Sequence, residues 1–265
     1  MKKLTKALAA IMLMTAVVFT IGCNNSKSNA GDSDGGGKSN NNESNVVDGH
    51  EYVDLGLPSG TLWATCNVGA NSPEEYGDYF AWGETESKDI YMWGNYKYIV
   101  DDTTALVKKY TDEIEDDIAL KKYTGDFEYY GFTDHLSILQ PSDDAASANW
   151  GSGWCMPTKE QWEELIRYTN SIWTNQNGIN GWLFTGKHET VLFLPAAGGK
   201  FIDFPPQKGV VGNYWSSSLG EFSPEEAFFL GFSWDSSFGS CDDYIGVDDN
   251  ERYFGISVRA VRSAH

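Results

Sequence analysis

The sequence predicts an α+β domain in which short strands and loops predominate and one or two helices pack against them. Short runs of β-branched and aromatic residues, separated by Gly, Pro, Asn and Asp, recur along most of the chain and are typical of strands joined by turns. One segment instead places apolar side chains at helical spacing behind a strong helix start signal. All ten tryptophans of the 265 residues lie after residue 46, which predicts a single aromatic-rich core there.

The chain begins with the layout of a secretory signal peptide over residues 1–22. Lysines cluster within the first six residues, and an uncharged apolar stretch runs from Leu8 to Ile21, as in export signals. A membrane-spanning helix needs about 20 apolar residues, and this stretch is shorter. Residues 20–23, TIGC, resemble a bacterial lipobox, so we expect cleavage before Cys23 and lipidation of that cysteine.

Lipidation of Cys23 would hold the domain at a membrane, because each buried acyl methylene contributes about 0.8 kcal/mol. The lipobox pattern prefers Leu where Thr20 stands, and the alternatives are an uncleaved anchor or an ordinary signal peptide cut elsewhere. The sequence therefore predicts a lipid-anchored envelope protein of the outer membrane. It leaves open whether the protein faces the periplasm or the outside of the cell.

Residues 23–46 are predicted to be the lipidated cysteine followed by a disordered linker. Gly, Ser and Asn dominate this segment, and its few apolar side chains cannot offset the entropy that would be lost on ordering. The folded domain is predicted to occupy residues 47–265.

Strands are predicted wherever a β-rich run lies between turn residues. The turns include Pro58-Ser59-Gly60 and Asn177-Gly178, which are strong turn signals. The predicted strands are 51–55, 61–68, 78–82, 181–185, 190–194, 213–217, 227–234 and 255–261. No internal repeat of fixed period is visible, which disfavours a solenoid or a propeller.

The clearest helix is predicted to begin after Thr158. Thr158 as N-cap and Gln161 three residues later form a capping box, and Trp162, Leu165 and Ile166 follow on one apolar face. A helix with one apolar face packs that face on the core, so we expect it to lie against a sheet.

A second, short helix is predicted from Asp143 or Asp144 to Ala148, because an aspartate at the start caps a helix and favours its dipole. The segment from Asp101 to Tyr123 mixes charged and apolar residues and is predicted to contain one or two exposed helical turns.

Several short motifs follow one another along residues 48–262. The longest is VDLGLPSGTLWATCNVGANSPEEYGDYFAWGET, from Val53 to Thr85. The later ones are DAA at 144–146, WG at 150–151, MPT at 156–158, EQW at 160–162, LPAAG at 194–198, YWSSS at 214–218 and GISVRAVR at 255–262. Together they resemble the Fibrobacter succinogenes major paralogous domain, a family found in many secreted proteins and lipoproteins of Bacteroidetes and Fibrobacteres.

The resemblance implies a C-type-lectin-like α+β fold, distantly similar to the formylglycine-generating enzymes, with short strands, long loops and one or two helices. Cys155 departs from the family pattern, because it stands where the family's Trp-Arg-x-Pro-Thr motif has arginine. Residues 101–130 look like a variable insertion. The motif tryptophans are expected in the core, since large aromatic side chains dominate core burial.

The charge of the chain excludes some partners. It carries 19 basic and 38 acidic residues, a formal net charge of −19. Such a protein repels nucleic acid and anionic lipid headgroups, and the sequence shows no local basic patch. Nucleic acid is therefore not an expected partner.

Known catalytic motifs are missing from the sequence. It contains no Gly-x-Ser-x-Gly elbow, no His-Glu-x-x-His and no phosphate-binding loop. By the resemblance, an oxidase like the formylglycine-generating enzyme would need two cysteines near the C-terminal end, where only Cys241 stands. The residues favour a non-enzymatic protein, although two of the many carboxylates could still serve a hydrolase.

Three cysteines, Cys66, Cys155 and Cys241, remain after Cys23. Pairing cannot be deduced from spacing alone. Three reduced thiols, or one disulfide and one free thiol, therefore both stay open.

Two groups of residues are candidate binding sites. Exposed aromatic rings beside amide and carboxylate groups bind sugars, and the loop stretch with Tyr91, Trp93, Asn95 and Tyr96, together with Glu84, has that composition. The loop-rich stretch with Asp242, Asp243, Asp248 and Asp249 offers oxygen ligands of the kind that calcium prefers. No cofactor other than calcium is indicated.

Three functional hypotheses follow for the anchored domain. The leading one is a non-enzymatic binding module for a glycan or another surface macromolecule, and it combines the anchor, the lectin-like resemblance and the missing catalytic motifs. The second is a structural, adhesin or assembly component that contacts another envelope protein. The third is a divergent enzyme of oxidase or hydrolase type.

Overall fold

The structure is a computed structural model that describes residues 45–99, 120–127, 133–201, 205–234 and 244–264. The predicted signal peptide, Cys23 and nearly all of the predicted linker lie outside these ranges. So do residues 101–119 of the segment 101–123 in which helical turns are predicted; its described residues, 120–123, are not helical. Asp34–His265 forms one compact unit. Within the described ranges it contains three β-sheets and two α-helices, so the prediction of a β-dominated α+β domain is confirmed.

The first sheet joins the start of the domain to its end. Its strand order is β1-β2-β3-β12, and β3 pairs antiparallel with both β2 and β12. The strands are β1 (Val46–Val47), β2 (His50–Asp54), β3 (Thr61–Asn67) and β12 (Arg259–Ser263). β1 begins at Val46, one residue before the predicted domain boundary.

The second sheet is the largest and has the order β10-β9-β8-β11-β4. Long antiparallel pairs link β8 to β9 and β9 to β10. The strands are β4 (Tyr79–Phe80), β8 (Val211–Leu219), β9 (Glu226–Ser233), β10 (Tyr244–Glu251) and β11 (Ile256–Ser257).

The third sheet is an antiparallel meander of β5 (Asn170–Gln176), β6 (Ile179–Thr185) and β7 (Val191–Pro195). Asn177 and Gly178 form the turn between β5 and β6, with φ angles of 51° and 89°. Two-residue turns with positive φ at both positions match the twist of a hairpin, which explains the Asn-Gly pair in the sequence.

Both helices begin where the sequence predicts. In α1 (Ala145–Trp150) the Asp144 carboxylate accepts a hydrogen bond from the Ser147 backbone N–H at 2.9 Å. In α2 (Lys159–Tyr168) the capping box of Thr158 and Gln161 is present. The α2 helix packs on β8, β9 and β10, as its apolar face predicts. Short 3₁₀ turns occur at Trp93–Asn95 and Lys187–Glu189.

Two aromatic clusters form the core. The motif tryptophans lie inside it, which confirms their predicted burial; they are Trp63, Trp82, Trp154, Trp162 and Trp215. Trp82 and Trp215 also bind backbone: their indole N–H groups donate to the carbonyls of Ser216 at 2.9 Å and Phe80 at 2.8 Å. Each ring therefore fills volume and also fixes a neighbouring strand.

Every predicted strand overlaps an observed one, and the sequence missed β1, β5 and β10. β10 contains Asp248, Asp249 and Glu251, and Asp and Glu are less frequent in strands than in loops. It is extended because it pairs along its whole length with the apolar strand β9. Tertiary pairing here overrides the local propensity of the chain.

Candidate functional site

The predicted sugar-binding aromatics lie together but are buried. Tyr91, Trp93 and Tyr96 expose only 1%, 5% and 2% of their surface. The Tyr96 hydroxyl donates to the Trp82 carbonyl at 2.7 Å, and the Trp93 ring packs edge-on against Tyr96 at 5.4 Å. The expectation that these rings stand exposed for stacking on sugars is therefore wrong.

These rings are buried against residues 252–255, which the sequence prediction did not single out: Tyr96 packs on Arg252, Trp93 on Tyr253 and Tyr91 on Gly255. Arg252 is fully buried, and its guanidinium group is surrounded by the rings of Trp82, Tyr96, Tyr98 and Tyr123. Its Cζ lies 4.7 Å from the ring centroid of Trp82 and 5.3 Å from that of Tyr96. Aromatic faces attract a cation, so the aromatic loop closes on this side chain instead of facing solvent.

Glu84 and Asn95 also hold the loop together. The Glu84 carboxylate, 8% exposed, pairs with Lys88 Nζ at 2.7 Å and accepts from the Lys97 backbone N–H at 2.8 Å. The side chain of exposed Asn95 donates to the Ile90 carbonyl at 2.8 Å. Buried charges are normally paired, and the geometry of Glu84 is that of such a structural carboxylate.

Asp143 is the centre of a second ionic group. Its carboxylate contacts Lys97 Nζ at 2.8 Å, Lys122 Nζ at 2.5 Å and the Tyr123 hydroxyl at 2.7 Å. Burial alone would raise the pKa of Asp143, but the hydrogen bonds from Lys122 and Lys97 outweigh it and hold that pKa below its usual range. This group ties the segment at 120–127 to the loop before α1.

The predicted calcium ligands are only partly covered by the structure, because Asp242 and Asp243 lie outside the described residues. Asp248 and Asp249 are neighbours on β10, and successive side chains of a strand point to opposite faces. These two carboxylates therefore do not converge on one ion. Among the described residues no group of three His, Cys, Asp or Glu side chains is placed to hold a metal ion.

An exposed aromatic surface exists elsewhere on the domain. Trp173 of β5 and Trp234, which follows β9, stack with ring centroids 6.2 Å apart and planes inclined by 26°. Trp234 exposes 44% of its surface, and Trp173 is half-buried. We call these two rings the Trp173–Trp234 surface.

The core supports this surface from below. The Trp173 ring contacts Trp182 edge-on at 6.1 Å and Phe232 at 6.3 Å, and both of those rings are buried. The backbone N–H of Trp234 donates to the Val210 carbonyl at 3.2 Å. Because Trp173 rests on these buried rings, the surface is already held in position before a ligand binds.

Amide groups border the same surface. Asn175 lies two residues beyond Trp173 on β5, so its side chain is on the same face of the strand, and its cross-strand neighbour is Asn180. The Asn175 side chain donates to the Asn180 side-chain oxygen at 2.7 Å, and Asn180 donates to the Gly209 carbonyl at 3.0 Å. This orients both amides beside the rings.

The sequence offered one signal for this surface that we did not use. In NSIWTNQ the β-branched and aromatic residues Ile172, Trp173 and Thr174 stand shortly before the Asn177-Gly178 turn, and such a run beside a hairpin turn favours a strand. Its partner Trp234 is 61 residues away in the chain, and it comes near because Phe232 of β9 packs on Trp173 and Trp182 of the third sheet.

Two further observations concern the anchor and the thiols. Among the described residues, no helix is both long and apolar enough to cross a membrane. Cys66 is buried on β3 and Cys155 is exposed, whereas Cys241 lies outside the described residues.

The chain was compared with known proteins in three ways. It matches no known family, no curated protein and no solved structure.

Proposed function

We propose that this chain is a lipid-anchored, non-enzymatic binding module of the bacterial envelope, with a C-type-lectin-like domain that binds glycans. The partly exposed Trp234, stacked on Trp173 and bordered by amides, is the single observation that carries this proposal. In this proposal a sugar stacks on the Trp173–Trp234 surface and not on the loop with Tyr91 and Trp93.

The chemistry of this surface fits a sugar. Indole offers a broad apolar face with little conformational entropy to lose, and pyranose rings present apolar C–H faces beside hydroxyl groups. Amide groups both donate and accept hydrogen bonds, so Asn175 and Asn180 can serve such hydroxyls. Ligand sites commonly combine an aromatic base with a few oriented polar groups.

The anchor and the linker complete the proposal. Lipidated Cys23 would keep the domain at the membrane, and the linker predicted from the sequence up to residue 46 would let it reach out from the bilayer. A binding module gains from being held where its ligand is, because tethering raises the effective concentration.

A glycan array probed with Asp34–His265, followed by titration calorimetry of each hit, tests the proposal. Trp234→Ala should weaken binding of a hit at least about tenfold, because buried aromatic contacts dominate binding energies. Phe222→Ala is the matched control, since Phe222 is an aromatic residue 81% exposed that lies outside the Trp173–Trp234 surface. Binding that is equally strong in both variants, or no binding to any glycan, would contradict this proposal.

A further inference from the structure

The turn between β5 and β6 contains an asparagine followed by a glycine, Asn177-Gly178, a pair that reacts without an enzyme in unstructured chains. The backbone nitrogen of the glycine attacks the side-chain amide carbon of the asparagine, and the missing Cβ of glycine permits the closest approach. A nitrogen–carbon bond forms, the bond to the amide nitrogen breaks, and the proton of the glycine N–H leaves with ammonia. Water then opens the resulting succinimide ring to aspartate or isoaspartate. The net reaction is deamidation.

Both groups that would react are held by hydrogen bonds in the folded chain. The attacking nitrogen, that of Gly178, donates its hydrogen to Asn175 Oδ1 at 3.0 Å. The leaving nitrogen, Asn177 Nδ2, donates to Glu74 Oε1 at 2.7 Å. Ring closure removes the hydrogen from the first nitrogen and expels the second, so it breaks both contacts. The structure therefore opposes the reaction at both nitrogens.

Glu74 is a strong acceptor for the Asn177 amide. Burial alone would raise the pKa of Glu74, but hydrogen bonds, first among them the one from Gln176, outweigh it and hold this pKa below its usual range. The carboxylate is therefore ionised at neutral pH, and hydrogen bonds to an ionised acceptor are about twice as strong as neutral ones. Gln176 Nε2 donates to the same oxygen, Oε1, at 2.8 Å. One carboxylate oxygen thus binds two consecutive side chains of the hairpin.

Asn175 is fixed as an acceptor by the neighbouring strand. Its Nδ2 donates to Asn180 Oδ1 at 2.7 Å, and Asn180 Nδ2 donates to the Gly209 carbonyl at 3.0 Å. Asn175 and Asn180 are also direct partners in the register of β5 and β6. Because its nitrogen is bound in this way, the Asn175 side chain keeps its oxygen directed at the Gly178 N–H.

We propose that Asn177 is a deamidation site whose reactivity is controlled by Glu74 and Asn175. The reaction is slow while the hydrogen bonds at Asn177 Nδ2 and at the Gly178 nitrogen persist, and it proceeds when the turn opens locally. Local opening of a turn costs less free energy than global unfolding, so folded protein still reacts at this site, at a reduced rate. Water is the only further reactant.

Deamidation would change the charge of the turn. A carboxylate then replaces the amide that contacts Glu74, and two like charges at that distance repel each other. The contact between residue 177 and Glu74 is lost, and the end of β5 is held less firmly. Because β5 also carries Trp173, a modified chain should present a less ordered Trp173–Trp234 surface. This last consequence concerns the proposed glycan site, whereas the reaction at Asn177 does not depend on it.

A second asparagine-glycine pair, Asn180-Gly181, serves as an internal reference. It lies within β6, the middle strand of the third sheet, and Gly181 faces both Thr174 of β5 and Pro195 of β7. Reaction at Asn180 requires these strands to separate. The two pairs therefore distinguish opening of the turn from opening of the whole sheet.

Tandem mass spectrometry of Asp34–His265 incubated at pH 7 tests the proposal, because it locates deamidation to Asn177 or Asn180. In native protein Asn177 should react at least about tenfold more slowly than in the same protein unfolded in urea, since the native reaction requires a local opening. Asn180 should react in urea alone. A native rate at Asn177 equal to the urea rate, or no higher than the native rate at Asn180, would overturn the proposal.

Two variants test the protection by Glu74. Glu74→Ala removes the acceptor of Asn177 Nδ2 and should raise the native rate at Asn177 about tenfold, while Asn180 stays unreactive. Glu75→Ala is the matched control and should leave the rate unchanged, because the Glu75 carboxylate accepts instead from the Asn71 N–H at 2.7 Å. Circular dichroism melts check that both variants fold. An unchanged rate in Glu74→Ala would overturn the proposal, and so would a slower one, which would mean that the carboxylate assists the reaction.

A second pair of variants tests the protection by Asn175. Asn175→Ala frees the Gly178 nitrogen and should raise the native rate at Asn177, whereas Asn175→Asp retains an acceptor oxygen and should raise it less. If both variants react equally fast, the hydrogen bond to Gly178 does not protect the site. No ligand is added in any of these measurements, so their outcome is independent of the proposed glycan binding.

Discussion

The guanidinium of Arg252 lies against the Trp82 ring, with Cζ 4.7 Å from the ring centroid, and both side chains are fully buried. Arg252 donates to four oxygen atoms: those of the Tyr96 hydroxyl and of the Tyr123, Pro224 and Lys122 backbone carbonyls. No described carboxylate pairs with it. This cation therefore joins the aromatic loop to the segment at 120–127 and to the turn before β9.

Replacing Arg252 should destabilise the domain strongly. Arg252→Met keeps much of the volume but leaves buried carbonyls without donors, so we expect a loss of about 3 kcal/mol or more in the free energy of unfolding. Urea denaturation followed by tryptophan fluorescence measures it. Arg167→Met, at an exposed position of α2, is the control. Equal losses in the two variants would contradict the structural role of Arg252.

Asp143 should make the domain sensitive to acid. Its pKa in the folded chain is below the ordinary value of 3.8, so the folded state binds fewer protons than the unfolded state. Stability from this group is present above pH 3.8 and is lost as the pH falls through the folded pKa. Wild type should therefore lose more stability than Asp143→Asn when unfolding is measured from pH 5 down to pH 2. If the stability of wild type and of Asp143→Asn falls equally over this pH range, the lowered pKa of Asp143 is contradicted.

Ionisation of Glu226 should destabilise the folded domain, whereas ionisation of Asp143 stabilises it. It faces Glu251 across β9 and β10, and burial, followed by Asp249 and Glu251, raises its pKa. A carboxyl group with a raised folded pKa binds protons more readily in the folded state, so its ionisation destabilises the domain as the pH rises through that pKa. Glu226→Gln should raise the melting temperature at pH 7 and have less effect at pH 4. A lower melting temperature at pH 7 would refute this.

The α2 N-cap offers a sharp test of local structure. The Thr158 hydroxyl accepts from the Gln161 N–H at 3.3 Å, while the Gln161 side chain accepts from the Thr158 N–H at 2.9 Å. Thr158→Ala should cost about 1 kcal/mol in the free energy of unfolding. Thr158→Ser keeps the hydroxyl and should recover most of that loss. If serine is no better than alanine, the cap is not the source of the effect.

The predicted anchor is tested in cells. Cys23→Ala removes the thiol that carries the lipid, so the chain should move from the membrane fraction to the soluble fraction. Immunoblots of the two fractions measure this, with Cys155→Ala as a matched cysteine control that stays with the membrane. Retention of Cys23→Ala in the membrane would contradict lipid anchoring.

The sequence by itself determined the local elements of the described domain. The Thr158 capping box, the Asp144 cap and the Asn177-Gly178 turn each depend on residues within four positions of one another, and each is where the pattern predicts. Most strands follow from runs of β-branched and aromatic residues, and the motif tryptophans are buried because of their size.

Only the tertiary structure decided which aromatic rings are inside and which face solvent. Tyr91, Trp93 and Tyr96 have the composition of a sugar-binding loop, but they are buried because residues 252–255, more than 150 positions away, pack on them: Arg252 on Tyr96, Tyr253 on Trp93 and Gly255 on Tyr91. Trp173 becomes part of a surface because β9 carries Trp234 to it. Both outcomes depend on contacts between segments that are far apart in the chain, and a local sequence pattern does not predict which of these segments will be in contact.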